Sequence, residues 1–263
     1  TNGNQYTSKL TVDKMYGGNN LGGITNKAQI DLTAGSINVL FGGGNKASVT
    51  NSSTNIDNVV INEEIYGGGN EADVSSVILN INNSEVGNIT KKGVVYGGGN
   101  AAKVTNSLEL NINSSEINGN IYGGGNKGKV ETKAKTTITT SHITDNIYGG
   151  GNEAEVQTTE VNIKQNTNID KNIYGGGNLG TVLGEANTVI ENSNITNSVF
   201  GGGNAAEVQG DANVTIHNSI IDEAIYGGGN GEYSIVPGDE IGDQNPAKVL
   251  GNTNLLVDEN TKV

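Results

Sequence analysis

Few residues in this chain have the type and spacing for bond-making chemistry. Asp145, Asp170 and Asp222 recur near one corner of a repeating unit, in its fifth, sixth and eighth copies. Two carboxylates facing one groove at a defined separation would be the machinery of glycoside hydrolysis. Three spread over four units form at most a sparse acidic strip. His142 and His217 fall at different places in the repeat, so they should not adjoin. They support no Ser–His–Asp arrangement, and each reads as a solvent-exposed side chain. We expect no catalytic residue, no cofactor and no metal site.

The glycine runs are not phosphate loops, because no helix follows them and no Lys-Ser/Thr pair closes them. A calcium-binding nonapeptide repeat would have a shorter period and an aspartate at a set place, where this chain has Asn or nothing suitable. A threonine array for ice binding is dense only at Thr136-Thr137-Ile138-Thr139-Thr140 and does not persist. Sequons at Asn51, Asn82, Asn88, Asn113, Asn194 and Asn213 are expected by chance in so Asn-, Ser- and Thr-rich a chain.

What does persist is one phrase, repeated nine times: an aromatic residue, then glycines, then asparagine. The aromatics are Tyr16, Phe41, Tyr66, Tyr96, Tyr122, Tyr148, Tyr174, Phe200 and Tyr226. The last five intervals are 26 residues each, and the earlier ones are 25, 25 and 30. A fixed period of this length marks a repeat architecture, in which each unit buries itself on its neighbours.

Glycine tolerates positive φ and close backbone approach, which suits a crowded corner. The Asn that follows tolerates the left-handed conformation better than most residues. Asn20, Asn45, Asn70, Asn100, Asn126, Asn152, Asn178, Asn204 and Asn230 should stack as a structural ladder with amides bonded along the axis. A row contacting a ligand is the other reading. The aromatics, among them Tyr66, Tyr96, Tyr122, Tyr148, Tyr174, Phe200 and Tyr226, should form a second ladder of offset rings. Strict alternation puts Ile121 inward and Tyr122 outward, giving an exposed stripe that could contact glycan. Packing is the alternative role. Lys46 should sit beside Glu71, Lys127 beside Glu153 and Lys129 beside Glu155, as register aids on a solvated face.

The unit from Tyr96 to Ile121 shows what positions these ladders. Ala102 and Val104, then Leu108, Leu110 and Ile112, alternate with polar residues, and Ile117 and Ile121 follow. Short runs of period two separated by Asn, Ser and Gly read as three strands and turns, with no useful helix. Such a unit cannot bury its own apolar face. Coiling lets each strand pair in parallel with its equivalent one turn on, about 4.8 Å away. The expected fold is all-β: a right-handed parallel β-helix of about nine coils of about 26 residues. The unit from Tyr148 slips by one place at Val161 and Ile163, so one of its corners must absorb a residue.

Composition narrows the partners. Net charge is −13, with 41 glycines, two prolines and no cysteine. Nucleic acid and anionic membrane both need clustered Lys and Arg, so neither is expected. The densest group, Lys127, Lys129, Lys133 and Lys135, reads as a solvated face. Absence of cysteine excludes a disulfide scaffold and a thiolate metal site. No apolar run approaches the ~20 residues that span a bilayer. We read residues 1–263 as a single solenoid domain, an excerpt of a longer chain.

Two places break the period. The unit from Tyr66 carries four extra residues near Gly87–Gly93, and the unit from Tyr226 carries fifteen, from about Gly231 to Asn245. Insertions in solenoids become loops on one face, often the binding face. Tyr233, Asp239, Glu240 and Asp243 make residues 231–245 a candidate partner-contacting or cation-binding loop.

Phrases such as Asn146-Ile147-Tyr148-Gly149-Gly150-Gly151-Asn152-Glu153-Ala154-Glu155-Val156, followed by Val161-Asn162-Ile163, resemble the repeats of very large bacterial surface proteins. Those are similar to the parallel β-helices of pectin-lyase-like proteins and autotransporter-type adhesins. The resemblance implies extracellular, cell-surface display and a role in adhesion or as a rigid stalk. Partners would be a protein or glycan on a host or neighbouring cell, with end-to-end self-association into filaments as a further mode. A polysaccharide-binding or polysaccharide-cleaving domain is the alternative. Pectin-lyase-like enzymes generally combine carboxylates with a basic residue, often arginine, and this chain has no arginine.

Overall fold

The computed structural model describes residues 11–231 and 247–263, and every regular element among them is a β-strand. The alternation seen in the sequence decides which way each side chain points. In the strand Val104–Asn113, Val104, Leu108, Leu110 and Ile112 are buried while Thr105 and Glu109 are exposed. Each typical coil contributes one long strand and two very short ones, such as Val104–Asn113, Glu116–Ile117 and Ile121–Tyr122.

The long strands stack into a nine-stranded sheet, from Thr25–Leu32 to Thr253–Val257. The short strands form a second sheet in two ladders that meet at Val60–Tyr66. All named pairings are parallel and join equivalent places: Ile138 lies between Ile112 and Ile163, and Tyr122 between Tyr96 and Tyr148. Nine stacked long strands make about eight turns among the described residues. The main interior column is isoleucine, leucine and valine, with Ile112, Ile117 and Ile121 clustered with Ile138, Ile143 and Ile147. A smaller column of valine, leucine and alanine, including Val104, Leu108, Val130 and Ala134, forms a separate cluster. Each isoleucine, leucine or valine side chain contributes about 1.5–3 kcal/mol on burial.

The two kinds of corner use different chemistry. At the GGGN corner the constraint is space. A Cβ on Gly97 would overlap the carbonyl oxygen of Gly123 in the next coil, and one on Gly98 would lie 2.8 Å from the Gly125 nitrogen. Neither those glycines nor the following asparagines have positive φ, contrary to the expectation of a left-handed Asn there. The left-handed residues sit instead after the long strands, at Asn58, Asn83, Ser114, Thr140, Asn192 and Asn218. That corner turns between two sheets and leaves room for a Cβ.

The slipped unit is resolved at this second corner. It carries two consecutive left-handed residues, Gln165 and Asn166, where its neighbours carry one. A register shift between Val130 and Lys133 compensates on the strand side. The four-residue insertion closes on itself, with an antiparallel bridge between Gly87 and Lys92 and a hydrogen bond of 2.8 Å from Asn88 N to Lys91 O. No helix among the described residues is long and apolar enough to cross a membrane.

Candidate functional site

The GGGN corner carries the Asn row. Asn45 Nδ2 donates to Asn20 Oδ1 at 2.7 Å, and Asn70, Asn100, Asn126, Asn152, Asn178, Asn204 and Asn230 each donate to the Asn one coil earlier at 2.8–3.0 Å. An amide offers donors on nitrogen and lone pairs on oxygen, so each one bridges two coils.

The aromatic row runs beside it. Eight consecutive pairs from Tyr16 to Tyr226 stack at centroid separations of 4.6–5.1 Å. Tyr66, Tyr96, Tyr122, Tyr148, Tyr174 and Phe200 are buried, so the outward stripe expected from alternation is corrected. Two consecutive residues, Ile121 and Tyr122, are both buried because the chain turns at once into the glycines and folds the ring against its neighbours. Burial pushes the Tyr96 phenol up to about 12, and raises those of Tyr66, Tyr122 and Tyr148 further. Tyr66 Oη also donates to Glu64 Oε2 at 3.0 Å. Only Tyr226 among these seven is exposed, at 49%.

The acidic strip does not assemble. Asp145 is a nearly enclosed carboxylate between Lys171 Nζ at 2.8 Å and Lys92 Nζ at 3.2 Å. Burial works to raise its pKa, but bonds and charge from the two lysines outweigh that and hold it below the usual range. A carboxylate held ionised by two ammonium groups is poorly suited to general acid work. Asp170 instead meets His142, and Asp222 lies two coils further on.

His142 keeps the solvent exposure expected of it, with 39% of its side chain accessible, but it also has two carboxylate partners that the repeat did not reveal. Its Nδ1 lies 2.9 Å from Glu116 Oε1 and its Nε2 lies 2.9 Å from Asp170 Oδ1, one partner from each adjoining coil. His217 is not its neighbour and faces Asp258 at 3.4 Å.

The stacked charge pairs occur as read from the repeat. Lys46 meets Glu71 at 3.4 Å, Lys127 meets Glu153 at 3.7 Å and Lys129 meets Glu155 at 2.9 Å. All are surface pairs, worth a few tenths of a kcal/mol each. Among the described residues no group of three or more His, Asp or Glu could hold a metal ion. Tyr233, Asp239, Glu240 and Asp243 lie outside the described residues.

One row escaped the sequence reading. Ser84, Ser115, Ser141, Thr167, Ser193 and Ser219 turn inward after the left-handed corner and are buried. Ser141 Oγ donates to Thr139 O at 2.8 Å and accepts from Ser115 N, one coil earlier, at 3.1 Å. Ser115, Ser193 and Ser219 make the same kind of bond to the carbonyl two residues back. The signal was present as a hydroxyl residue recurring every 26 places from Ser115.

A depression opens where the aromatic row ends. Phe200, Tyr226, Asn197, Glu223 and Asn230 line it, and Ser198 Oγ donates to Glu223 Oε2 at 3.1 Å. Comparison with family models, with curated proteins and with solved structures finds no match for this chain.

Proposed function

We propose that this chain is a rigid, non-enzymatic rod segment of an extracellular, cell-surface protein that serves adhesion or the display of an adhesive part. The observation that carries the reading is the Asn ladder, continuous from Asn20 to Asn230. Together with the aromatic stack it ties each coil to both neighbours at fixed register, which is what a spacer under load needs. The engagement of Asp145 by two lysines and of Asp170 by an imidazole supports the non-enzymatic reading over hydrolysis. Partners on this reading are a protein or glycan of a host or neighbouring cell.

The test has two parts. Small-angle scattering of the purified chain should give a rod about 40 Å long, from eight turns at the β-strand spacing. Cells displaying the chain on an outer-surface anchor should then adhere to host-cell or neighbour-cell monolayers better than cells displaying the anchor alone, or should extend the reach of a binding module fused beyond it. A compact particle sinks the rod, and no gain in either cell assay sinks the surface role.

A second reading, polysaccharide binding, rests on the depression beside Tyr226, where an exposed ring adjoins amides and a carboxylate. Retention on a glycan array that is lost in Tyr226→Ala would favour it. Retention unchanged in that variant, or no retention at all, would remove it.

A further inference from the structure

His142 sits on the outer side of the short-strand sheet, in line with Glu85 and Glu116 on one side and Asn168 and Asn194 on the other. Its two ring nitrogens meet carboxylates in opposite directions along the rod axis, Glu116 one coil before and Asp170 one coil after. A neutral imidazole carries one N–H and one bare lone pair. It can donate to one of these carboxylates but must turn a lone pair toward the other. Only the imidazolium, with two N–H groups, satisfies both.

We propose that Glu116, His142 and Asp170 form a proton-binding clamp, which ties three consecutive coils together when the imidazole is charged and lets go of one of them when it is neutral. The surrounding charges fit this. Glu85 extends the negative side of the row. Lys92 and Lys171 are both engaged with Asp145, and Lys92 also donates to Thr144 Oγ1 at 2.9 Å, so neither ammonium takes the place of the imidazolium. Partial burial works to lower the His142 pKa, but the hydrogen bond and charge of Asp170 and the charge and bond of Glu116 outweigh it, and the net direction is upward.

The sign follows from that direction. A histidine whose folded pKa is raised contributes its full stabilisation below the unfolded value of about 6.5, and loses it as pH rises through the folded pKa. The clamp is therefore closed below the unfolded value of about 6.5 and opens as pH rises through the higher folded value. Its members are more than a third exposed, so salt weakens it.

The chain has only two histidines, so its imidazole proton spectrum is assigned by comparison with His142→Asn. Asn already stands at the matching place as Asn168 and Asn194, so this variant keeps the local pattern. The His142 midpoint should lie above about 6.5 and fall in Glu116→Gln with Asp170→Asn. The melting temperature of the parent should exceed that of His142→Asn by about 2–4 °C near pH 6 and match it near pH 9. A His142 midpoint at or below 6.5, a midpoint unmoved in the double variant, or a melting difference that stays flat with pH would overturn the clamp. Should His142→Asn fail to fold, the titration of the parent and of Glu116→Gln alone decides the question.

Discussion

The side-chain hydroxyl of Thr136 occupies the space over Gly123: a Cβ built on that glycine would lie 2.7 Å from Thr136 Oγ1. The hydroxyl is fully buried and has no hydrogen-bond partner. Thr188 stands in the same relation to Gly175, and Thr54 to Gly42. In the coil after Thr136 the place is held by Val161, which sits over Gly149.

Thr136→Val should therefore be neutral or stabilising. Val is close to Thr in shape, and the change removes a buried hydroxyl whose desolvation costs about 1–3 kcal/mol. Thermal unfolding should give a melting temperature equal to the parent or higher by up to about 4 °C. A clear loss of stability would mean that the hydroxyl has a partner in solution.

Gly123→Ala should destabilise the rod by about 1–3 kcal/mol or more, because its Cβ meets the Gly149 carbonyl, which is backbone and cannot turn aside. Gly22→Ala is the control, since a Cβ there meets nothing within 4 Å. Denaturant unfolding of the two variants should separate them; equal midpoints would contradict the crowded corner.

Asn152→Ala should cost more than Asn20→Ala. The first removes a bond to Asn126 and one from Asn178, and leaves groups on both sides unpaired. The second removes the bond from Asn45 at an exposed place. The expected difference is of the order of 1–3 kcal/mol in unfolding free energy. Indistinguishable values would show that the ladder carries no stability.

Alkaline titration should unfold the rod through its phenols. The unfolded phenol ionises near 10, while Tyr96 in the fold is pushed up to about 12. A folded pKa above the unfolded one leaves stability intact below about pH 10 and lowers it as pH rises toward the folded value. Ultraviolet absorbance should register the buried phenols ionising together with loss of the β signal by circular dichroism. Phenol ionisation at ordinary pH with the fold intact would contradict the burial of the stack.

Strand positions, parallel stacking and the charge pairs were legible in the sequence, because each depends on what repeats and not on how a corner turns. Ile112, Ile138 and Ile163 pair because they hold equivalent places, and Lys127 meets Glu153 for the same reason. The slipped unit was likewise visible as one residue to be absorbed, though not that Gln165 and Asn166 absorb it as a left-handed pair.

What the sequence left open was decided at the corners and between coils. Whether Tyr122 faces out or in depends on how sharply the glycines after it turn, and a period-two pattern ends where the turn begins. Which residue takes the left-handed conformation depends on where the two sheets diverge, so it fell to Ser114 and Thr140 and not to the asparagine after the glycines. The His142 contacts join Glu116 and Asp170, which stand 26 residues before it and 28 after it. Asp170 lies two places beyond the one paired with His142, within reach of the ring only because short parallel strands set consecutive coils a single sheet spacing apart.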